Sequence, residues 1–283
     1  MRSVKELWNL GHVAYFAGLV LAMSRMRWIS RMALPSQWVS LVLITLILGT
    51  LIEVLQYGTH RTPDLGDISR DLAGCLLVLA FYPGFLKLSS LLWMRMIRFI
   101  VAFILLILLL PIARAMVDET IAWFQFPVLS NFETPFELDR WKGGAQIQVL
   151  KMDPAQNSHQ LKITLGTELY SGVGLEYFPS DWTGFESVRL RLFLPEHEAL
   201  AITIRIHDLA HVTGPQAYHY HDRFNRRYTL KAGWNEIEIA LSDVASLRSR
   251  KMNLSEVRDL SFFSIKLPKP VTLFLDKIYL SEK

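Results

Sequence analysis

The chain has a single cysteine in 283 residues, Cys75, so no intramolecular disulfide can brace it. Its place in an apolar run reads as a buried, inert thiol, and cysteine usage says nothing about compartment. Charge of one sign is also scarce. Lys and Arg number 30 against 26 Asp and Glu, for a net charge of +4. The basic residues are not gathered into one stripe, which argues against a nucleic-acid partner. No tightly spaced ligand motif such as His-Glu-x-x-His occurs, and no metal or cofactor is expected. The first apolar segment lacks a clean small-x-small cleavage site and runs into Arg25, so it reads as an uncleaved span.

What is present divides the chain in two. Residues 1–130 carry nearly all the long apolar runs, whereas from Asn131 onward alternating patterns and turn residues dominate. This break predicts a membrane domain joined to a globular one. Four apolar segments read as spans, at about 7–24, 37–57, 70–88 and 97–116. The third is the shortest, with an apolar core only from Leu72 to Phe81 before Pro83-Gly84. It is read as spanning because Asp71 and the residues before it can sit in a polar pocket between helices. Basic residues flank the runs (Arg25, Arg27, Arg31, Lys87, Arg95, Arg98, Arg114), as at membrane helix ends. Counted by side, five face six, a weak bias that puts loops 24–37 and 88–97 in the cytoplasm. The C-terminal domain is then extracytoplasmic.

Between the second and third runs lies a stretch dense in carboxylates and guanidiniums. Alternating spans return the ends of these runs to one surface. They predict a cluster of His12, Tyr15, Glu53, Gln56, Arg61, Asp64, Asp67, Arg70 and Asp71. Glu53 and Gln56, three apart, share a helix face, as do Asp67 and Asp71, four apart. Three readings stay open: ion pairs that fix the bundle, a site for a lipid-linked glycan headgroup, or catalysis by Glu53, Asp67 and His12.

Trp8, His12, Tyr15, Glu53, Gln56, Arg61, Asp67, Asp71 and Gly74, with their membrane setting, resemble the VanZ-like membrane proteins over about residues 5–115. These are small bacterial multi-span proteins whose founder is associated with teicoplanin-type glycopeptide resistance. The chain departs from the family in carrying Asp71 where Asn is common. The resemblance implies a multi-pass protein of the bacterial cytoplasmic membrane, in contact with lipid.

Residues 117–130 read as a linker, with Pro127, and 131–283 as a β-sandwich. Val188, Leu190 and Leu192 alternate with Arg189 and Arg191. Ile202, Ile204 and Ile206 alternate with Thr203, Arg205 and His207. Residues 234–240 and 271–276 continue the pattern, which predicts half-buried antiparallel strands in a sandwich or jelly roll. Tyr170–Tyr177, Trp182-x-Gly-Phe185, Gly233-Trp234-Asn235 and Asp276-x-Ile278 resemble the galactose-binding-like jelly rolls found in many carbohydrate-binding modules. That resemblance implies the fold and leaves the ligand open.

The candidate ligand-binding set is Arg189, Arg191, Arg205 and His207 on one sheet face, with Tyr218, Tyr220, His221, Asp222 and Arg223 in a neighbouring loop. Sugars need planar apolar rings and planar polar side chains, and this set holds both. An ordinary solvated sheet face, and a metal site from His207, His211, His219 and His221, are the competing readings. Trp182, Phe185 and Trp234 read as core packing. The expected architecture is multi-domain: a four-span α-helical transmembrane bundle and an all-β jelly-roll sandwich. The expected function is non-enzymatic binding of surface or exported polysaccharide, or of lipid-linked glycans. The rivals are a membrane enzyme acting through Glu53, Asp67 and His12, and a scaffold whose sandwich docks a protein.

Overall fold

The uncharged stretch from Trp38 to Ile52 is helical throughout, as a long run of aliphatic residues without Pro or Gly clusters should be. The computed structural model describes residues 1–57, 64–85, 91–153, 158–196, 198–214 and 219–282. Two units emerge, Met1–Met116 and Val117–Lys283.

The first unit is built from α1 (Arg2–Ser24), the short α2 (Arg27–Ser30), α3 (Leu34–Tyr57), α4 (Leu65–Phe81) and most of α5 (Leu91–Gln125). Three helices, α1, α3 and α5, are long and apolar enough to cross a membrane. Their outward side chains, such as Val39, Leu43, Ile47, Phe99 and Phe103, are exposed, as suits contact with lipid tails. The expected third span, 70–88, differs. The helix starts at Leu65, capped by Asp64 accepting from the Gly66 N–H at 2.7 Å. It ends at Phe81, where Tyr82 turns extended and Pro83-Gly84 follows, with Gly84 at φ +104°. Its 17 residues reach about 26 Å at ~1.5 Å per residue. The end of that expected span, 86–88, lies outside the described residues, so the four-span count is not reproduced.

Helix α4 packs on α1 at Gly74. A Cβ there would stand 2.4 Å from the Val13 carbonyl oxygen and 3.2 Å from the Phe16 Cβ. Below this contact, Val20, Ile29, Leu41, Cys75 and Leu79 make a small core. Gly74→Ala is expected to destabilise this packing by about 2 kcal/mol, because backbone must move to admit the methyl. Thermal unfolding of the purified chain in detergent checks it, and an unchanged midpoint would count against the close approach.

In the second unit the stretch 117–130 is not the expected linker. Helix α5 carries Pro111 inside it and runs on to Gln125, stopping short of Pro127, and β1 (Val128–Ser130) then pairs with the last strand. Strands β2 (Trp141–Gly143), β3 (Gln146–Asp153), β4 (Ser158–Leu165), β5 (Tyr170–Leu175), β6 (Ser187–Leu194) and β7 (Leu200–Asp208) follow. After α6 (Leu209–Thr213) come β8 (Phe224–Leu230), β9 (Gly233–Ala240), α7 (Leu241–Ala245), β10 (Val257–Ile265) and β11 (Val271–Ser281). All pairings are antiparallel. One sheet runs β3-β4-β11-β6-β9 with β1 against β11, the other β2-β5-β10-β7-β8. The aliphatic faces of both close on a core around the fully buried Trp182.

Two buried ionic groups tie the entrance of the sandwich together. Arg140, fully buried, donates to Asp118 Oδ1 from Nε at 2.9 Å and to the Leu129 carbonyl from Nη1 at 3.1 Å. Glu137, also fully buried, accepts from the Ser130 hydroxyl and from the Asn131 and Phe132 N–H groups, each at 2.9 Å. These bonds hold Phe132 in the left-handed region, at φ 63°.

Candidate functional site

Two places gather polar chemistry, one in each unit. In the helical unit, the start of α4 presents Asp67, Arg70 and Asp71 on successive turns, and the close approach at Gly74 brings them to His12 of α1. His12 Nδ1 lies 2.9 Å from Asp71 Oδ1, and its Nε2 lies 3.7 Å from Asp67 Oδ2. Arg70 is bonded to Asp67 and stands 3.6 Å from Asp64. Glu53 Oε2 accepts from the Asp64 N–H at 2.8 Å. Asp71 and Glu53 are buried, so their pairing offsets a desolvation cost. The structure thus brings together His12, Glu53, Asp64, Asp67, Arg70 and Asp71. Tyr15 makes no hydrogen bond or ion pair with them among the described residues; it stays exposed against Phe16 and lines an apolar groove beside His12. Gln56 is half-buried on α3, and Arg61 lies outside the described residues. That groove, of ≈ 400 Å³, is also lined by Leu7, Trp8, Phe16 and Ile52.

In the sandwich, consecutive strands β6 and β7 belong to different sheets. Arg189 and Arg191 therefore point away from one outer face, and Arg205 and His207 from the other. The expected single face carrying all four does not exist. Arg189 pairs with Glu238 at 2.9 Å, and Arg191 with Asp276 at 3.2 Å. Arg191 also lies 4.2 Å over the Trp234 ring, and Trp234 is 46% exposed beside Phe193, so it is no core residue as expected.

The other face holds a shallow groove of ≈ 420 Å³ between β2, β5, β10 and β7. Its floor is low because Gly172 and Gly174 face outward on β5. A Cβ on Gly172 would come within 2.3 Å of the Phe262 carbonyl oxygen. Tyr170, 61% exposed, stands edge-on to Phe263 at 5.8 Å between ring centroids. The Arg205 guanidinium lies 4.7 Å over the Phe263 ring, and Arg223 lies 5.7 Å over the ring of Tyr220. Among the described residues, neither guanidinium has a carboxylate within ion-pair range, and the Nε of each is buried without a hydrogen-bond partner. Burial, then the charge of Arg205, lowers the pKa of Arg223.

His207 and Asp259 sit 3.5 Å apart at one wall. Burial, helped by His211, Arg205 and Arg223, lowers the His207 pKa to about 4. Burial raises that of Asp259 to about 6, against the hydrogen bond from the Ser261 hydroxyl at 2.8 Å. Both are neutral between those values.

The loop residues divide. Tyr220 and Arg223 line a neighbouring pocket with Phe224 and Arg226, and the β7–β8 register sets Arg223 beside His207 at the groove wall; His221 is exposed beside Tyr220. Asp222 is not available to a ligand. It is buried and bonded to Arg250, which also donates to Asp208 Oδ2 at 2.6 Å. These bonds raise the pKa of Arg250, those from Asp208 foremost. Tyr218 lies outside the described residues. Among the described residues no three His, Cys, Asp or Glu converge as a metal site would. Sequence reasoning missed Tyr170, Phe263, Asp259 and Lys142. The signal was there in Tyr170-x-Gly172-x-Gly174 and Asp259-x-Ser261-x-Phe263, where alternation puts each set on one face.

No protein-family model and no curated protein matches the chain. The C-terminal β-sandwich is similar to solved carbohydrate-binding modules. One is the family 11 module from Clostridium thermocellum in complex with a beta-1,3-1,4-mixed-linked tetrasaccharide. It is 16% identical with TM-score 0.41, over 55% of this chain and 94% of that one. Another is the family 30 module of the cellulosomal cellulase Cel9D-Cel44B of Clostridium thermocellum, 15% identical with TM-score 0.37, over 51% and 92%. An exo-beta-agarase is similar at 14% identity and TM-score 0.45, over 55% of this chain and 25% of that one.

Proposed function

We propose that the chain is a multi-pass protein of the bacterial cytoplasmic membrane whose sandwich binds surface or exported polysaccharide. The observation that carries this reading is the glycine-floored groove. Its exposed Tyr170 and Phe263 edge can lie along the CH faces of pyranose rings, and Arg205 stands ready for their oxygens. On this reading α4 also crosses the membrane, the helical unit is VanZ-like, and the galactose-binding-like sandwich is extracytoplasmic. The His12 cluster with its apolar groove then suits a lipid-linked glycan, with the lipid chain in the groove and the headgroup at the carboxylates.

Tyr170→Ala is expected to weaken polysaccharide binding by about tenfold, the scale of one lost ring contact. Co-sedimentation of the chain in nanodiscs with insoluble polysaccharides reads this, and equal retention of both proteins would sink the groove assignment. Thiol labelling of Ser242→Cys and Ser36→Cys in intact cells tests the topology. Both positions are exposed and native Cys75 is buried, so the background is low. Labelling of the first and protection of the second is expected; the reverse removes the surface-glycan reading.

A second reading is favoured by one geometry. His12 held between Asp71 and Asp67 is arranged as a general acid or base with an orienting carboxylate. On that reading His12→Gln abolishes turnover of a lipid-linked glycan while ligand retention persists.

A further inference from the structure

Of the ten arginines of the sandwich unit, five are matched to a carboxylate within ion-pair range. Arg140 meets Asp118, Arg189 meets Glu238, Arg191 meets Asp276, Arg226 meets Asp243, and Arg250 meets Asp208 and Asp222. Arg227, Arg248 and Arg258 show no ion pair among the described residues, and neither do Arg205 and Arg223. The last two come from different segments, β7 and the loop before β8, yet lie close enough for one to depress the other. Two neighbouring half-buried cations repel each other and pay for desolvation, and the nearby Asp259 offsets this only in part for Arg223. Each instead stands over an aromatic ring, a contact that uses none of its N–H donors as hydrogen bonds to a carboxylate. Lys142 adds a third cation on the far wall. The carboxylates opposing them are Glu176 and Asp259, and burial keeps the second protonated well into the mildly acidic range.

We propose that this groove binds an anionic polysaccharide, a chain of pyranose rings bearing carboxylate or sulfate groups, with Arg205 and Arg223 clamping the anion between them. The proposal rests on the polysaccharide-binding reading and names its ligand class. Bidentate guanidinium contacts to such groups are short and charge-assisted, and two of them fix the ring bearing the anion against the Tyr170–Phe263 edge. The opposite face, whose arginines are already paired, is left without this capacity.

The test uses the full chain in nanodiscs of zwitterionic lipid, titrated with three hexasaccharides. They are hexagalacturonate, its fully methyl-esterified form, and a sulfated carrageenan hexasaccharide. The acid or the sulfate ester is expected to bind at least tenfold more tightly than the methyl ester, the scale of one charge-assisted bond. Arg205→Gln and Arg223→Gln should each remove about tenfold of that advantage and leave the methyl ester within about twofold. Arg189→Gln, on the paired face, should change nothing. Preference for the acid alone identifies carboxylate as the anion, and preference for the carrageenan alone identifies sulfate. Equal binding of all three probes, insensitive to Arg205 and Arg223, overturns the anionic clamp but keeps the polysaccharide reading. No binding of any probe overturns both. The comparison between acid and ester needs no variant, so a misfolded substitution cannot decide it.

Discussion

Arg140→Met is expected to destabilise the sandwich by about 3–5 kcal/mol, the largest single effect at any ionic group here. Methionine fills much of the same volume, so packing is not the reason. The change takes from the Asp118 carboxylate, which is 1% exposed, the guanidinium bonded to it at 2.7 and 2.9 Å. The Leu129 carbonyl loses its donor as well. Water cannot reach the site to replace either bond. The double variant Arg140→Met with Asp118→Leu removes both charges and is expected to recover most of the loss. Urea unfolding of the full chain, followed by amide exchange in β1 and β11, measures both. A single variant within about 1 kcal/mol of the parent would mean the pair contributes little, as exposed pairs do.

The second large effect is a pair of opposite pH dependences in the groove wall. His207 is neutral in the fold down to about 4 but takes up a proton near 6.5 when unfolded. Its contribution is present above 6.5 and is lost as pH falls towards 4. Asp259 keeps its proton in the fold up to about 6 against 3.8 unfolded. Its contribution is present below 3.8 and is lost as pH rises through 6. Between about 4 and 6 the two slopes oppose, so the parent should be nearly flat there with respect to this pair. The charges facing them come from each neighbouring element: Glu176 after β5, Arg205 and Asp208 on β7, His211 on α6, and Arg223.

Asp259→Asn leaves His207 alone. Relative to the nearly flat parent, the sandwich should lose about 2 kcal/mol between pH 7 and pH 4.5. His207→Gln leaves Asp259 alone, and the variant should gain up to about 2 kcal/mol over the same interval. Amide exchange of β7 and β10 in the full chain, corrected for intrinsic rates, reads both curves. Parallel curves for parent and variants would show that neither group titrates away from its ordinary range.

The helical half was legible in outline because apolar runs have few alternatives. The start of α4 was harder, since Asp67, Arg70 and Asp71 interrupt hydropathy yet continue the helix under an Asp64 cap. The contacts of His12 with Asp71 and Asp67 join residues that helix period and an assumed return of the chain had grouped. The place of Tyr15 was not legible, because being one turn from His12 does not say which way an exposed ring turns.

By itself, the sequence determined the two-part division in outline, the positions of β6, β7, β9 and β11, and which of their residues face the core. Alternation with period two carries that information locally. Which sheet each strand joins was decided only by tertiary pairing. Neighbours β6 and β7 separate because β6 finds β11 and β9, while β7 finds β10 and β8. That non-local choice sends Arg189 and Arg191 to carboxylate partners on one face. It leaves Arg205 beside Arg223 on the other, with no described carboxylate to match them. Inward and outward are properties of a strand; a shared face is a property of the strands it meets.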